Sequence, residues 1–270
     1  ASVALAKSLN VPAVRMLQDY GLQKFYHQLK KLQQKNINKP ADYYGLSLIL
    51  GGAESSLWDI TNAYAGMAST LNHFTSFSSE YKSNEFIEPI YEWGKEANFG
   101  KNQFLPQVFN AGAIYHTLKT LEEVNRPNGE ENWNYFSHSK AISWKTGTSY
   151  GFKDAWAVGV NAQFAVGIWA GNADGEGRPG LTGLQAAAPI LFEVFDKLPK
   201  TTGFQIPYDE LVEAKVCKNS GHLAGIFCED TQREWIPTNG TRSEPCPYHH
   251  QIFLNKTGQF QVNSSCYELS

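Results

Sequence analysis

No cysteine stands before position 217 of this 270-residue chain. That excludes a disulfide framework for the larger part of it. No run of about 18 or more apolar residues occurs, which excludes a membrane-spanning helix. No basic segment backed by an apolar run is present, so nothing in the chain reads as a targeting or anchoring signal. There is no large excess of charge: the formal net charge is -3. A protein built to hold nucleic acid or an anionic membrane surface would carry a basic surplus. The phosphate-binding string G-x-x-x-x-G-K-[ST] is missing. No internal repeat and no low-complexity segment is visible. The chain starts at Ala1 rather than at methionine and stops at SSCYELS. Both ends are expected to be cuts in a longer protein.

What is there is an ordinary globular composition. Hydrophobic residues make up 42 % and charged residues 18 %, enough apolar surface for a sizeable core. ASVALAKSLN reads as a short helix, Val3 to Ala6, ending in a polar turn. Pro12 suits the first turn of the next helix, which runs to about Tyr20 and stops at Gly21. Leu22, Phe25, Tyr26, Leu29 and Leu32 recur at helical spacing. Ser56 and Asp59 fit a capping box ahead of a helix with Leu57, Ile60, Tyr64 and Met67 on one face. Residues from Leu71 to Gln103 show no clear period and are expected to form an irregular excursion. QVFNAGAIYHTLKTLEEV is another helix.

The pattern then changes. Ala141–Ser149, Ala155–Val160 and Phe164–Ala170 are short runs rich in Val, Ile, Trp and Phe, separated by turns. They predict an antiparallel meander, with Trp156 and Trp169 in the core. LTGLQAAAPILFEVFDKL predicts one long helix kinked at Pro189. Helices on an antiparallel sheet make an α+β fold. After Lys200 the chain turns to Pro, Gly, Asn, Ser and Cys, with short strand-like runs such as REWIP, QIFLN and QFQVN. The expected division is 1–205 for the main domain and 206–270 for a linker and the start of a small β-rich module.

The chemistry-bearing residues concentrate in one strand, Lys145-Thr146-Gly147-Thr148-Ser149. A lysine ammonium attracts a carboxylate or orients a hydroxyl. The Thr and Ser hydroxyls can share the same anion, and Gly147 lets a ligand backbone lie close. Together they describe an edge that holds an extended peptide by its terminal carboxylate. Strict alternation puts Lys145 and Thr146 on opposite faces, so the strand edge must bring them together. A lone K-T-G is equally a strand whose lysine faces water. Ser8-Leu9-Asn10 adds weight, because it falls at a helix-to-helix junction where side chains can point into a cleft. S-x-x-K, S-D-N and K-T-G form the signature set of class A β-lactamases and penicillin-binding proteins, and S-L-N is a loose match to the middle motif.

On SLNVPAVRML, LILGGAESSLWDITNAYAGMAS, WKTGTSYGFKDAWAVGV and AVGIWAGNADGEGRPGLTGLQAAAPILFEVF the sequence resembles the transpeptidase domain of class A penicillin-binding proteins. VCKNSGHLAGIFCEDTQREWIP and SEPCPYHHQIFLN resemble the linker and C-terminal module of one subgroup. The resemblance implies the penicillin-binding transpeptidase fold and serine acyl transfer in cell-wall synthesis. It implies peptidoglycan stem peptides ending in D-Ala-D-Ala and β-lactam antibiotics as partners, at the outer face of a bacterial inner membrane. Any membrane attachment would run through an anchor outside this chain. By motif, Ser8 would relay a proton to the leaving group and Asn10 would bind the substrate amide. Lys145 would sit by Ser8 and attract anionic substrate. Thr146, Gly147, Thr148 and Ser149 would line the carboxylate grip, and the Thr148 N–H would supply half of an oxyanion hole. No cofactor is implied.

The motif that supplies the nucleophile, S-x-x-K, should precede Ser8 and does not. Ser79-Glu80-Tyr81-Lys82 and Ser137-His138-Ser139-Lys140 fit the string but come in the wrong order, and neither opens an apolar helix. The expectation is a transpeptidase domain truncated at its N-terminus. Two other readings stay open: a stem-peptide-binding or scaffold module without catalysis, and a β-lactamase-like protein or β-lactam sensor. Cys217, Cys228, Cys246 and Cys266 crowd the tail, and an even number suggests disulfides. The most local pairing is Cys217–Cys228 with Cys246–Cys266. His249 and His250 beside Cys246 invite a metal reading, but C-x10-C lacks the C-x2-C knuckle of zinc modules. Disulfides and no metal are therefore expected.

Overall fold

The computed structural model describes residues 1–82, 85–86, 89, 108–124 and 141–263. The chain divides into two compact units, Ala1–Pro207 and Tyr208–Ser270.

The first unit opens with α1 (Ser2–Ala6) and α2 (Asn10–Tyr20). Pro12 lies in the first turn of α2, where a missing N–H leaves no bond unmade. Gly21, at φ +100°, ends that helix with its N–H on the Leu17 carbonyl at 2.8 Å. In α3 (Leu22–Lys31), the residues Leu22, Phe25, Tyr26 and Leu29 pack against Ile37, Tyr44 and Leu48. The last two belong to α4 (Ala41–Tyr44) and the 3-10 turn Gly45–Leu50. The Ser56 hydroxyl caps α5 (Leu57–Ser76) by accepting the Asp59 N–H at 3.0 Å. Asn110 caps α6 (Ala111–Glu122) in the same way, through the Ala113 N–H.

α5 is longer than expected. Leu71–Ser76 continues the helix instead of opening an irregular excursion, because Leu71 and Phe74 are buried in one cluster with Ile114 and Leu118 of α6. Tertiary packing supplies what local periodicity did not show.

A π-turn, Gly183–Ala187, leads into α7 (Ala188–Lys197). Helical winding is unbroken from Gly183 to Lys197, as the π-turn followed directly by α7, and Pro189 stands just after the change in winding.

Between the helices lies an antiparallel sheet, β1 (Ser143–Thr148), β2 (Asp154–Val160) and β3 (Ala165–Gly171), in that order. It is covered on both faces. A Cβ on Gly159 would meet Phe195 and Leu191 of α7; a Cβ on Gly167, on the other face, would meet Thr61 and Leu57 of α5. Among the described residues Trp144 is the tryptophan of the core, fully buried and edge-on to Phe192 with centroids 5.0 Å apart. Trp156 and Trp169, expected inside, face each other across β2 and β3 but are half-buried and exposed. The indole N–H of Trp169 donates to the Asp154 carboxylate at 2.9 Å, which holds that ring at the polar end of the sheet.

The second unit contains β4 (Leu211–Cys217) paired antiparallel with β5 (Thr231–Pro237), and a small ribbon of β6 (Phe253–Leu254) and β7 (Gln261–Val262). Cys217, Cys228 and Cys246 are free thiols, in place of the expected Cys217–Cys228 bridge. The Cys217 and Cys228 sulfurs both turn toward His249. Cys266, the expected partner of Cys246, lies outside the described residues.

Candidate functional site

β1 is an outer strand; among the described residues its second edge pairs with no strand. The Ser149 N–H bonds the Asp154 carbonyl at 3.0 Å across the β1–β2 turn. In an antiparallel ladder successive residues direct their backbone groups to opposite sides. Gly147 and Lys145 thus face β2, while the backbone groups of Thr146 and Thr148 point to the open edge. That edge presents the Thr146 carbonyl and the Thr148 N–H.

The side chains divide by face. Thr146 and Thr148 share the face of Trp144, and the π-turn packs against it. The Gly183 N–H donates to the Thr148 hydroxyl oxygen at 3.0 Å. A hydroxyl that accepts there keeps its own proton to donate elsewhere. Gly183 is also a steric requirement, since a Cβ would lie 2.4 Å from the Trp156 carbonyl oxygen and 2.5 Å from that of Gly147.

Lys145 starts from the opposite face but does not stay there. Its ammonium donates to the Thr146 carbonyl at 3.0 Å, so it curls to the open edge where that carbonyl points. Burial pushes the Lys145 ammonium below its ordinary value. The site holds a poorly solvated cation, which gains from a negative partner. The Ser149 hydroxyl accepts the Asp154 N–H at 2.8 Å and closes the hairpin together with Gly151 at φ +77° and Phe152 at φ +56°.

Ser8 and Asn10 lie at the α1–α2 junction, both exposed. Ser8 has φ +54°, in the left-handed region that a serine seldom adopts. Its N–H bonds the Leu5 carbonyl at 3.1 Å, and the Leu9 N–H bonds the Ala4 carbonyl at 2.9 Å. This tight reversal starts α2 at Asn10. Both α1 and β1 pack on α6, which gives the two motif-bearing segments a common neighbour. Ser79 follows the end of α5 in a turn at φ +60° and opens no helix; Ser137–Lys140 lies outside the described residues. Among the described residues no helix is long and apolar enough to cross a membrane.

Sequence reasoning missed Gly183, and it weighed His249 as a metal ligand but set it aside. Nothing local marks Gly183, because LTGLQAAAP reads as a helix start. For His249 a signal existed: Cys246-Pro-Tyr-His249 is a C-x2-H spacing.

No family model matches the chain. Penicillin-binding protein 1C of Escherichia coli (strain K12) is 32 % identical over 197 residues, covering 72 % of this chain and 22 % of that protein. Penicillin-binding protein 4 of Bacillus subtilis (strain 168) is 26 % identical over 170 residues, covering 62 % and 25 %. The chain thus spans a quarter or less of the length of these curated relatives. The crystal structure of penicillin-binding protein 1A from Haemophilus influenzae superposes with a TM-score of 0.63 at 18 % identity, over 91 % of this chain and 40 % of that one. At that identity the likeness is one of fold.

Proposed function

The chain belongs to the class A penicillin-binding proteins, and from that premise we propose that it carries the substrate-gripping part of a serine D,D-transpeptidase. The reaction is acyl transfer between peptidoglycan stem peptides. A serine hydroxyl attacks the carbonyl of the D-Ala-D-Ala bond, the terminal D-Ala leaves with a proton, and an acyl-enzyme forms on that serine. An amine of a second stem peptide then takes the acyl group, releasing the serine and closing the crosslink. β-Lactams enter the first half of this sequence and stop at the acyl-enzyme. The work is done at the extracytoplasmic face, where peptidoglycan lies.

The observation that carries this reading is the open edge of β1. An extended peptide can lie along it as an added strand. At its end, the Thr148 hydroxyl, held by Gly183, donates to the terminal carboxylate, and Thr146 serves as a second donor. The Lys145 ammonium leaves the Thr146 carbonyl for the incoming anion. Gly147 keeps side-chain bulk off the path, and Ser149 fixes the hairpin. The outward Thr148 N–H stabilises the oxyanion that forms on the attacked carbonyl, a donation typically worth about 10²–10³ in rate. Ser8 passes the proton to the leaving amine and Asn10 binds the substrate amide.

The attacking serine belongs to an S-x-x-K helix, and no such helix precedes Ser8 within these residues. The test joins the chain to an upstream segment bearing S-x-x-K and follows acylation by a labelled penicillin together with D-Ala release from a stem peptide. Saturable acylation that a D-Ala-D-Ala peptide competes away is expected. Binding of the peptide with neither acylation nor D-Ala release would leave a binding module and not a transpeptidase.

A further inference from the structure

The second unit carries a side-chain cluster that acyl transfer does not use. Cys217 ends β4, Cys228 lies late in the loop that leads to β5, and Cys246 and His249 flank a single bend. Backbone hydrogen bonds draw these segments together: Cys217 N–H to the His222 carbonyl at 2.9 Å, Ala224 N–H to the Lys215 carbonyl at 2.8 Å, and Cys246 N–H to the Leu223 carbonyl at 2.8 Å. The three sulfurs and a ring nitrogen of His249 all lie within 4.8 Å of one another.

The distances are informative. His249 Nδ1 stands 3.5 Å from the Cys217 sulfur, 3.4 Å from that of Cys228 and 3.4 Å from that of Cys246. One ring nitrogen carries at most one proton, so it can donate to only one of them. Near-equal spacing to all three is instead the geometry of one corner of a tetrahedron. Zinc with Zn–S of about 2.3 Å and Zn–N of about 2.0–2.1 Å sets neighbouring sulfur and nitrogen ligands about 3.6 Å apart. Further donors point at the sulfurs: the Ser220 hydroxyl at Cys246 (3.1 Å) and the Gly225 N–H at Cys228 (3.3 Å). Such outer donors suit ligating thiolates.

A second observation is independent of the cluster. Among the described residues, the three hydrophobic core clusters all lie within Ala1–Pro207. Beyond Tyr208, the apolar side chains buried among the described residues are Leu211 and Val216, beside Cys217 and Cys246. A unit this small with so little core needs a staple.

We propose that Cys217, Cys228, Cys246 and His249 form a structural zinc(II) site that holds the second unit together. Four protein ligands close the coordination shell and leave no position for substrate, so the metal serves folding and not catalysis. On binding, the thiols release their protons to solvent and act as thiolates.

The test uses the full chain, purified under reducing conditions. Elemental analysis after desalting should find one equivalent of zinc, and cobalt(II) in its place should give the visible ligand-field bands of a tetrahedral thiolate site. Cys246→Ser and His249→Ala should each lose that spectrum. His249→Cys should keep a tetrahedral spectrum with stronger thiolate charge transfer, and Cys266→Ser should leave the wild-type spectrum unchanged. Chelation should speed proteolytic cleavage within 208–263 roughly tenfold or more. Substoichiometric zinc in the reduced chain, an octahedral cobalt spectrum, or loss of the spectrum in Cys266→Ser would overturn the site. So would a Cys217–Cys228 disulfide mapped in the folded chain without reduction. These readouts do not involve penicillin or peptidoglycan, so their outcome is separate from that of the transpeptidase reading.

Discussion

The amide of Gly183 donates to the hydroxyl of Thr148 at 3.0 Å, and this bond ties the π-turn ahead of α7 to the motif strand. Replacing Thr148 by Val keeps the shape and removes the acceptor. The Gly183 N–H then loses its partner; because Thr148 is exposed, the net loss is about 0.5–1.5 kcal/mol, that of an ordinary hydrogen bond. Thermal unfolding should register that loss, and the S-x-x-K-extended protein should bind a D-Ala-D-Ala peptide more weakly. Thr148→Ser should restore most of both.

Gly183→Ala should be worse for folding than an ordinary glycine substitution. The added methyl meets two backbone carbonyls, which cannot rotate away as a side chain could. Overpacking of this kind costs about 1–3 kcal/mol. Denaturant unfolding of the chain measures it, and a neutral result would mean that the turn is looser than described.

Lys145→Ala should slow acylation of the extended protein by labelled penicillin by at least about 10²-fold, the scale of losing a positioned electrostatic group. Lys145 also predicts a pH effect. Burial lowers its folded pKa below the ordinary 10.5, so in the alkaline window between those values the unfolded chain binds more protons. Stability of the wild type relative to Lys145→Met should therefore rise with pH across that window. A flat difference would mean that the ammonium is as well solvated folded as unfolded.

The 270 residues alone should form no covalent adduct with penicillin, because Ser8 is followed three places on by Val11 and not by lysine. Acyl transfer needs a base within hydrogen-bond reach of the attacking hydroxyl. Intact mass spectrometry after incubation decides it. A stoichiometric adduct on Ser8, Ser79 or Ser137 would reassign the nucleophile.

Trp144→Ala should destabilise the first unit by about 3–5 kcal/mol, the usual range for removing a large buried aromatic. The ring is fully buried and meets Phe192 edge-on.

Where a residue acts on its own neighbours, the sequence was readable. Pro12 and Gly21 bound α2, Ser56 caps α5, and strand-like composition marks β1 to β3, all through contacts a few residues apart. Lys145 to Thr148 and the Ser8–Asn10 junction stood out as candidates through their motifs, and the segments that carry them, β1 and α1, both pack on α6. Distant packing was not legible. Leu71 and Phe74 extend α5 only because α6 covers them. The π-turn just ahead of Pro189 has no local marker, and Gly183 matters through carbonyls of two strands remote in sequence. The Cys–His cluster depends on three loops closing together, and the C-x10-C spacing pointed away from it while the C-x2-H spacing pointed toward it.

The edge of β1 that pairs with no strand among the described residues also carries a hazard. Any extended segment of a neighbouring molecule can pair with a bare strand and seed association. Lys145 stands at that border as a gatekeeper. Its ammonium covers the Thr146 carbonyl, the acceptor that an intruding strand would claim, and an uncharged backbone offers the lysine nothing in exchange. On the function proposed above, a peptide that ends in a carboxylate would offer a better partner and draw the lysine aside. One side chain would thereby separate the guest that terminates at the edge from the neighbour that would run on past it.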